Sequence, residues 1–344
     1  MEHVAEVRSP AMDVGAWCSQ SRVWVVAGKG GVGKTTITAA LAATAAAVGL
    51  SVLVIELEGK HGLGTTFGRP GPVGYEAVPL RGPPPNGADR AATPPAGAIW
   101  ARRLTPDDAL LEYLADHGLQ RVSRRLVSSG VLDVVATAIP GIRDVLVLGK
   151  VKQLERAAVA DMIVLDAPAT GHAMTFLTSA SGLLDAARGG PVRQQAADVV
   201  ELLQDSSRCR VLPVTLPEEM PVSETVESAS MLEDRVGVHL GAVVVNGYEE
   251  GPAALECPTG DAARRAGTVL DPWALEAIEA AREFRLRRLR LVGEQVSRLG
   301  RELPLPQLRV PRLGTPAIGP RELDQLAAAM AHAIDALPAT ADTR

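Results

Sequence analysis

Five short runs along the chain are almost wholly apolar and bounded by glycine or polar residues. They are Arg22-Val-Trp-Val-Val-Ala27, Ser51-Val-Leu-Val-Ile-Glu56, Met162-Ile-Val-Leu165, Val211-Leu-Pro-Val214 and Ala242-Val-Val-Val245. Continuous apolar runs of this length suit strands covered on both faces, as in a parallel sheet flanked by helices. Between the first two lies the alanine-rich stretch Ala39 to Val48, stopped by Gly49. Strand, helix and strand within about 35 residues make a βαβ unit. The pattern continues along most of the chain and predicts a doubly wound α/β fold with a mostly parallel sheet.

Other segments break the alternation. Met1 to Gln20 mixes charge with Ser, Pro and Gly and reads as a loose tail, as do residues 339–344, leaving 21–338 as the folded domain. Gly68 to Gly97 is rich in Pro and Gly and reads as an extended or irregular loop. Thr105-Pro-Asp-Asp108 then supplies an N-cap, a first-turn proline and two carboxylates for a helix start. Helical pattern runs from there to Glu155, broken at Ile139-Pro-Gly141, which predicts a helical insert over 105–157. A second helical segment covers 173–205. From Pro272 to about Arg301 a long helix carries Leu275, Ile278, Leu289, Val292, Val296 and Leu299 on a helical period. Its arginines 282, 285, 287, 288 and 290 read either as a solvated face or as a patch for a polyanion. No internal repeat is present.

Composition narrows the function. The 344 residues carry 35 Lys and Arg against 40 Asp and Glu, a formal charge of −5, which does not suit wholesale nucleic-acid binding. Aromatic residues make up only 3%, so the core must be built from Ala, Val and Leu. No apolar run reaches the ~18 residues of a membrane span, so no direct insertion is expected. Three scattered cysteines, Cys18, Cys209 and Cys257, form neither a disulfide framework nor a C-x-x-C pair. A cytoplasmic setting is the expectation.

The sharpest chemical signal is Gly28-Lys-Gly-Gly-Val-Gly-Lys-Thr-Thr36, directly after the first strand and opening a helix. It satisfies the phosphate-loop pattern in its strand–loop–helix setting. Gly28, Gly30, Gly31 and Gly33, with Val32 between them, let successive backbone N–H groups converge on phosphate oxygens. Lys34 suits the β and γ phosphates, the Thr35 hydroxyl suits Mg²⁺, and Thr36 continues the binding turn. Gly28, Gly30 and Gly33 also fit a dinucleotide fingerprint, but the Lys-Thr pair has no role there, so a nucleoside triphosphate is the better ligand. Met162-Ile-Val-Leu-Asp166 ends a strand in a carboxylate, and Asp166 is expected to hold Mg²⁺ through water.

Taken together, these motifs resemble one family. Lysines at both ends of Lys29-Gly-Gly-Val-Gly-Lys-Thr35 resemble the deviant Walker A loop of the SIMIBI ATPases. In that class the first lysine reaches a partner's nucleotide, which would tie Lys29 to dimerisation; a solvated loop lysine is its plain reading. Asp166-Ala-Pro-Ala-Thr-Gly-His172 is similar to the second switch of the arsenical-pump (anion-transporting) and tail-anchored-protein-targeting ATPases, one residue shorter. Leu216-Pro-Glu-Glu-Met-Pro-Val-Ser-Glu-Thr225 resembles their Pro-Glu turn and following helix. Val243-Val-Val-Asn246 resembles the strand whose Asn contacts adenine, and Val310-Pro-Arg-Leu313 the late loop closing over the base, with Pro311 in it. Pro140 to Lys150 and Gly189-Gly-Pro-Val192 look most like the paired actinobacterial members. The resemblance implies ATP and Mg²⁺ as cofactors, a homo- or heterodimer with a homologous ATPase chain, and a hydrophobic client or membrane-protein partner.

Departures are equally specific. Where the family's first switch carries Asp-Pro-Ala-His, this chain has Glu58-Gly-Lys-His61. Glu58 keeps the water-orienting carboxylate but displaces it by one methylene, and displacement by ~1 Å can cost ~10²-fold in rate. Slow hydrolysis is therefore expected. The catalytic set is Lys29, Lys34, Glu58 and Asp166. The competing reading is a catalytically weak nucleotide-binding subunit that regulates or scaffolds a homologous partner. Metalloid binding is not expected, because soft metalloid needs converging thiolates.

Overall fold

A computed structural model of the protein describes residues 12–57, 62–69, 71–82, 94–116, 141–315 and 317–338; of residues 113, 115, 116 and 169–172 it describes the backbone only. The first half contains α1 (Val14–Cys18), β1 (Val23–Gly28), α2 (Lys34–Ala47), β2 (Val52–Leu57) and α3 (Leu63–Thr66). Then come β3 (Val78–Arg81), β4 (Ile99–Leu104), α4 (Pro106–Asp116), α5 (Ile142–Arg156) and β5 (Met162–Ala169). The second half contains α6 (Thr170–Ala186), α7 (Gly190–Gln204), β6 (Cys209–Thr215), α8 (Glu219–Val236) and β7 (Val243–Tyr248). A 3₁₀ turn (Ala253–Glu256), α9 (Thr259–Arg265), α10 (Pro272–Glu302), β8 (Gln307–Pro311) and α11 (Pro320–Asp335) complete it.

The eight strands form one sheet in the order β3-β4-β2-β5-β1-β6-β7-β8. Every neighbouring pair is parallel except β3 with β4. The five apolar runs read from the sequence are β1, β2, β5, β6 and β7, the inner strands apart from β4. Their alternate side chains feed two buried clusters, so both faces are covered. One face holds α5 to α8 and the end of α10, and the other holds α1, α2 and α11. Alanine fills α2 because this helix is buried from Ile37 to Ala46 between the sheet and α11. The doubly wound α/β architecture is as expected.

Three strands carry no clean apolar run. β4 is Ile99-Trp-Ala-Arg-Arg-Leu104, and its two arginines each find a tertiary partner. Arg102 stacks over Tyr75 at 4.5 Å, and Arg103 donates to the buried Glu56 carboxylate at 3.0 Å. β3 lies inside the segment expected to be irregular, and Pro79 is tolerated there because β3 is a sheet edge. β8 is the opposite edge, buried only at Leu308 and Val310, which leaves an alternating pattern. The late segment expected as a loop from Val310 therefore begins inside a strand.

The amino-terminal tail also needs correction. Residues 12–20 are packed, with the Asp13 side chain capping α1 through Ala16 N–H at 2.8 Å. Trp17 is fully buried and stacks on Trp24 of β1 with ring centroids 4.6 Å apart. Met12 N–H donates to the Leu337 carbonyl at 3.2 Å, so the two ends of the folded chain meet. Trp17→Ala should lower unfolding free energy by about 3–5 kcal/mol, read from denaturant unfolding. A change under about 1 kcal/mol would return this segment to the status of a tail.

The predicted insert is helical at both described ends, and residues 117–140 between them lie outside the described residues. Thr105 Oγ1 accepts from Asp108 N–H at 3.1 Å, as a helix cap should. α5 differs from an outlying subdomain: it is buried along most of its length within the main helical layer. Its polar residues are buried in pairs. Lys150 Nζ donates to Glu112 and Gln153 at 2.5 and 2.9 Å, Lys152 pairs with Asp198, and Glu155 with Arg208 at 2.7 Å.

Candidate functional site

β1 sits between β5 and β6, and the chain leaves it in opposite directions to β2 and, after β5, to β6. Such a reversal opens a crevice at the carboxyl ends of the strands, where α/β sheets hold ligands. The loop from Gly28 to Gly33 occupies that crevice and leads into α2 at Lys34.

Its glycines answer to space as well as to conformation. Gly33 is left-handed at φ +89°, and a Cβ there would lie 2.3 Å from Asn246 Nδ2. A Cβ on Gly28 would lie 2.3 Å from the Val214 carbonyl oxygen. Gly31 is also left-handed, at φ +88°, in open space, and Gly30 is exposed. Val32, by contrast, is buried and anchors the loop. Gly33 caps α2 without a side-chain bond, leaving the first-turn N–H groups, Thr35 and Thr36 included, and the positive end of the helix at the loop's mouth.

Two residues from distant strands complete the loop. Thr35 Oγ1 donates to Asp166 Oδ2 at 2.7 Å, joining the start of α2 to the second half of β5, which runs three residues past the carboxylate expected at its end. Asn246 Nδ2 donates to the Val32 carbonyl at 2.8 Å, strapping the loop to β7. A register shift between Asn246 and Tyr248, with Gly247 at φ +68°, sets that strand end. Asn246 is thus a loop strap in this structure, a role its sequence motif did not suggest.

The two lysines lie differently. Lys34 is buried, with Nζ donating to the Lys29 carbonyl at 2.8 Å, inside the arc of the loop. Lys29 is about one-third exposed and forms an ion pair with Glu224 of α8. Glu224 belongs to the quoted Glu-Thr motif, but only the tertiary structure shows what it touches.

A second carboxylate was passed over in the sequence. Glu56 is the register partner of Asp166 across the β2–β5 ladder and is almost fully buried. Neighbouring register partners share a sheet face. One Glu56 oxygen accepts from Arg103, and Oε1 has no hydrogen-bond partner. The signal was a charged residue in an otherwise apolar strand. Glu58 to His61, holding the proposed water-orienting carboxylate, lie outside the described residues, as does the side chain of His172.

Beside the loop, a cleft of about 670 Å³ opens between the β6–α8 turn, Gly247 and α10. Leu216 and Pro217 form one wall; Arg288, Gln295 and Arg312 form another. Glu249 pairs there with Arg288 and Arg312 at 3.6 and 3.2 Å, and also with Arg285. Pro311, expected near the base, instead ends β8 and lines a groove on the sheet's outer edge; its neighbour Arg312 reaches the cleft.

The cysteines are dispersed. Burial pushes the Cys18 thiol up to about 12, with Asp13 adding to the shift, and burial pushes Cys209 up to about 12 as well. They lie in clusters on opposite faces of the sheet. Cys18, expected in a tail, is therefore a core residue.

Comparison with known proteins gives a consistent picture. The family model described as "Anion-transporting ATPase" matches residues 21–78 and 106–186, which include the loop, β2, α5 and β5 with Asp166. The chain is 37% identical to ATPase BagA of Mycobacterium tuberculosis over 253 residues, 71% of this chain and 70% of the relative. It is 30% identical to ATPase get3 of Schizosaccharomyces japonicus over 155 residues, 45% of this chain and 43% of the relative.

Proposed function

Starting from the fact that this chain belongs to the anion-transporting ATPase family, we propose that it binds and hydrolyses ATP with Mg²⁺ as a nucleotide-gated dimer. The observation that carries this reading is the Thr35–Asp166 bond at the mouth of a glycine loop that a Cβ would close. A hydroxyl and a carboxylate form a hard-oxygen donor pair, the chemistry Mg²⁺ prefers. Thr35 and Asp166 are the residues that would hold it, and when bound it offsets charge on the β and γ phosphates. Lys34 and the N–H groups of the loop and of the first turn of α2 bind the phosphates. Pro217, Gly247 and Arg312 frame the nucleoside in the adjoining cleft, and Asn246 fixes the loop beside it through the Val32 carbonyl. Glu58 orients the attacking water.

Lys29 enters the reading as the dimer contact. It leaves Glu224 for the phosphates of a homologous chain as two subunits close. Closure reshapes the helices around α5 and α6 that hold a client. A groove of about 670 Å³ beside Gly141, lined by Thr178, Gly182 and Ala186 of α6 and Val192 of α7, is the candidate place for it. Among the described residues no helix is long and apolar enough to cross a membrane.

The test is ATP turnover by the purified chain and its Lys34→Ala variant, with oligomeric state followed by light scattering. Glu58→Asp should raise turnover about tenfold or more, because it returns the carboxylate by one methylene. An unchanged rate with intact nucleotide binding would remove Glu58 from the mechanism. It would favour the second reading, a nucleotide-binding subunit that scaffolds a competent homologous partner.

A further inference from the structure

α10 is packed along one face and over its final turns only. Its buried residues, Val292, Val296 and Leu299, all lie toward the C-terminus. N-terminal to them, one face is tied to the protein by polar clasps. Arg282 bonds Glu279 and the Leu255 carbonyl, and Arg285 and Arg288 pair with Glu249. Arg282 and the Thr259 N–H hold the Glu279 carboxyl at about 2, well below the usual range. Three of the five arginines that suggested a polyanion patch are therefore already engaged, Arg282 by Glu279 and both Arg285 and Arg288 by the single carboxylate of Glu249.

A second face is open and largely apolar, and at its C-terminal end Leu291 borders the cleft shared by Glu249, Arg288 and Arg312. Trp273 is 78% exposed, Phe284 65% and Leu291 58%. They belong to one row, Trp273, Ala277, Ala280, Phe284, Arg287 and Leu291, every member exposed and successive members four and three residues apart in alternation. That alternation is the seam spacing of a helical coiled coil. At 1.5 Å per residue the row runs about 27 Å along the helix. Beyond Leu291 the same row continues as Glu294, Arg298 and Arg301, so the apolar seam ends where the helix becomes buried.

The row is complementary to itself when reversed. Against a second copy running antiparallel, Trp273 meets Leu291, Ala277 meets Arg287 and Ala280 meets Phe284. In the last two pairs a long side chain fills the space above an alanine. On one flank Glu276 meets Arg290 of the second copy, and symmetry repeats the pair. Glu283 meets its own equivalent at the two-fold, an unfavourable contact that water and salt screen on the rim. Each helix is already formed on its own subunit, so pairing carries little ordering cost.

We propose that the α10 helices of two copies of this chain pair antiparallel through Trp273, Phe284 and Leu291, forming a dimer contact that needs no nucleotide. The contact is separate from the phosphate loop, borders the adjoining cleft only through Leu291, and does not rest on the ATPase reading. The partner it fits is a second copy, because both the large-to-small pairing and the Glu276–Arg290 charges match in that arrangement.

Sedimentation equilibrium of the full chain without nucleotide tests this, with ATP turnover measured in parallel so that the two readings fail separately. A concentration-dependent dimer is expected. Phe284→Glu should weaken it about a hundredfold. Glu276→Arg and Arg290→Glu should each weaken it about tenfold, and together restore it to within about threefold. All these side chains are exposed, so the unfolding midpoint measured at concentrations low enough to keep the protein monomeric should stay unchanged. A strictly monomeric wild type overturns the proposal, as does a dimer indifferent to Phe284→Glu. A double charge reversal no better than the single ones overturns it too, and assigns the seam to a different partner.

Discussion

Lys34→Ala is expected to lower magnesium-dependent ATP turnover at least about a thousandfold while the protein stays folded. The buried Lys34 ammonium is held within the loop, donating to the Lys29 carbonyl at 2.8 Å, at the N-terminus of α2. Charge that develops on the transferring phosphoryl group is offset there by a cation already in place, in a site with little water to reorganise. Alanine removes that cation and leaves the glycine loop and the Thr35–Asp166 bond intact. Nucleotide affinity should fall far less than turnover, since the backbone N–H groups and the cleft remain. Turnover and fluorescent-nucleotide binding of both proteins, measured side by side, decide the matter. Turnover that survives the substitution would exclude this loop as the seat of hydrolysis.

Gly33→Ala should weaken nucleotide binding about a hundredfold, equivalent to about 2.7 kcal/mol. The left-handed backbone at φ +89° costs an alanine about 1–2 kcal/mol. Its Cβ would also lie 2.3 Å from Asn246 Nδ2, so the strap to the Val32 carbonyl must yield, at about 1 kcal/mol. The chain can accept the strain or shift the loop, and shifting carries the N–H groups away from the phosphates. Adding Asn246→Ala removes the clash but not the backbone strain, so the double variant should recover part of the affinity. Equal binding by Gly33→Ala and the parent would show that the loop is not the phosphate cradle.

The two tests also separate what could be read along the chain from what could not. The inner parallel strands other than β4 were legible because a strand buried on both faces is apolar nearly throughout. β4 was illegible because its arginines are held by Tyr75 and Glu56, which are distant in sequence. β3 and β8 were missed because edge strands bury one face or less and tolerate proline. The packing of α1 hinged on one stacked tryptophan pair, which local composition does not reveal.

The sequence by itself determined the doubly wound class, the glycine loop with Lys34 and Thr35, and the carboxylate of Asp166 after an apolar strand run. These depend on residue type at short range: glycine where backbone must approach a phosphate, and a lysine and a hydroxyl beside it. Only the tertiary structure decided that Asn246 straps the loop, that Lys29 rests on Glu224, that Glu56 faces Asp166, and that Arg312 rather than Pro311 enters the cleft. It also showed which face of α10 is left open. Each of these is a relation between strands or helices far apart in the chain, fixed by sheet order and register, and no local pattern of residues encodes it.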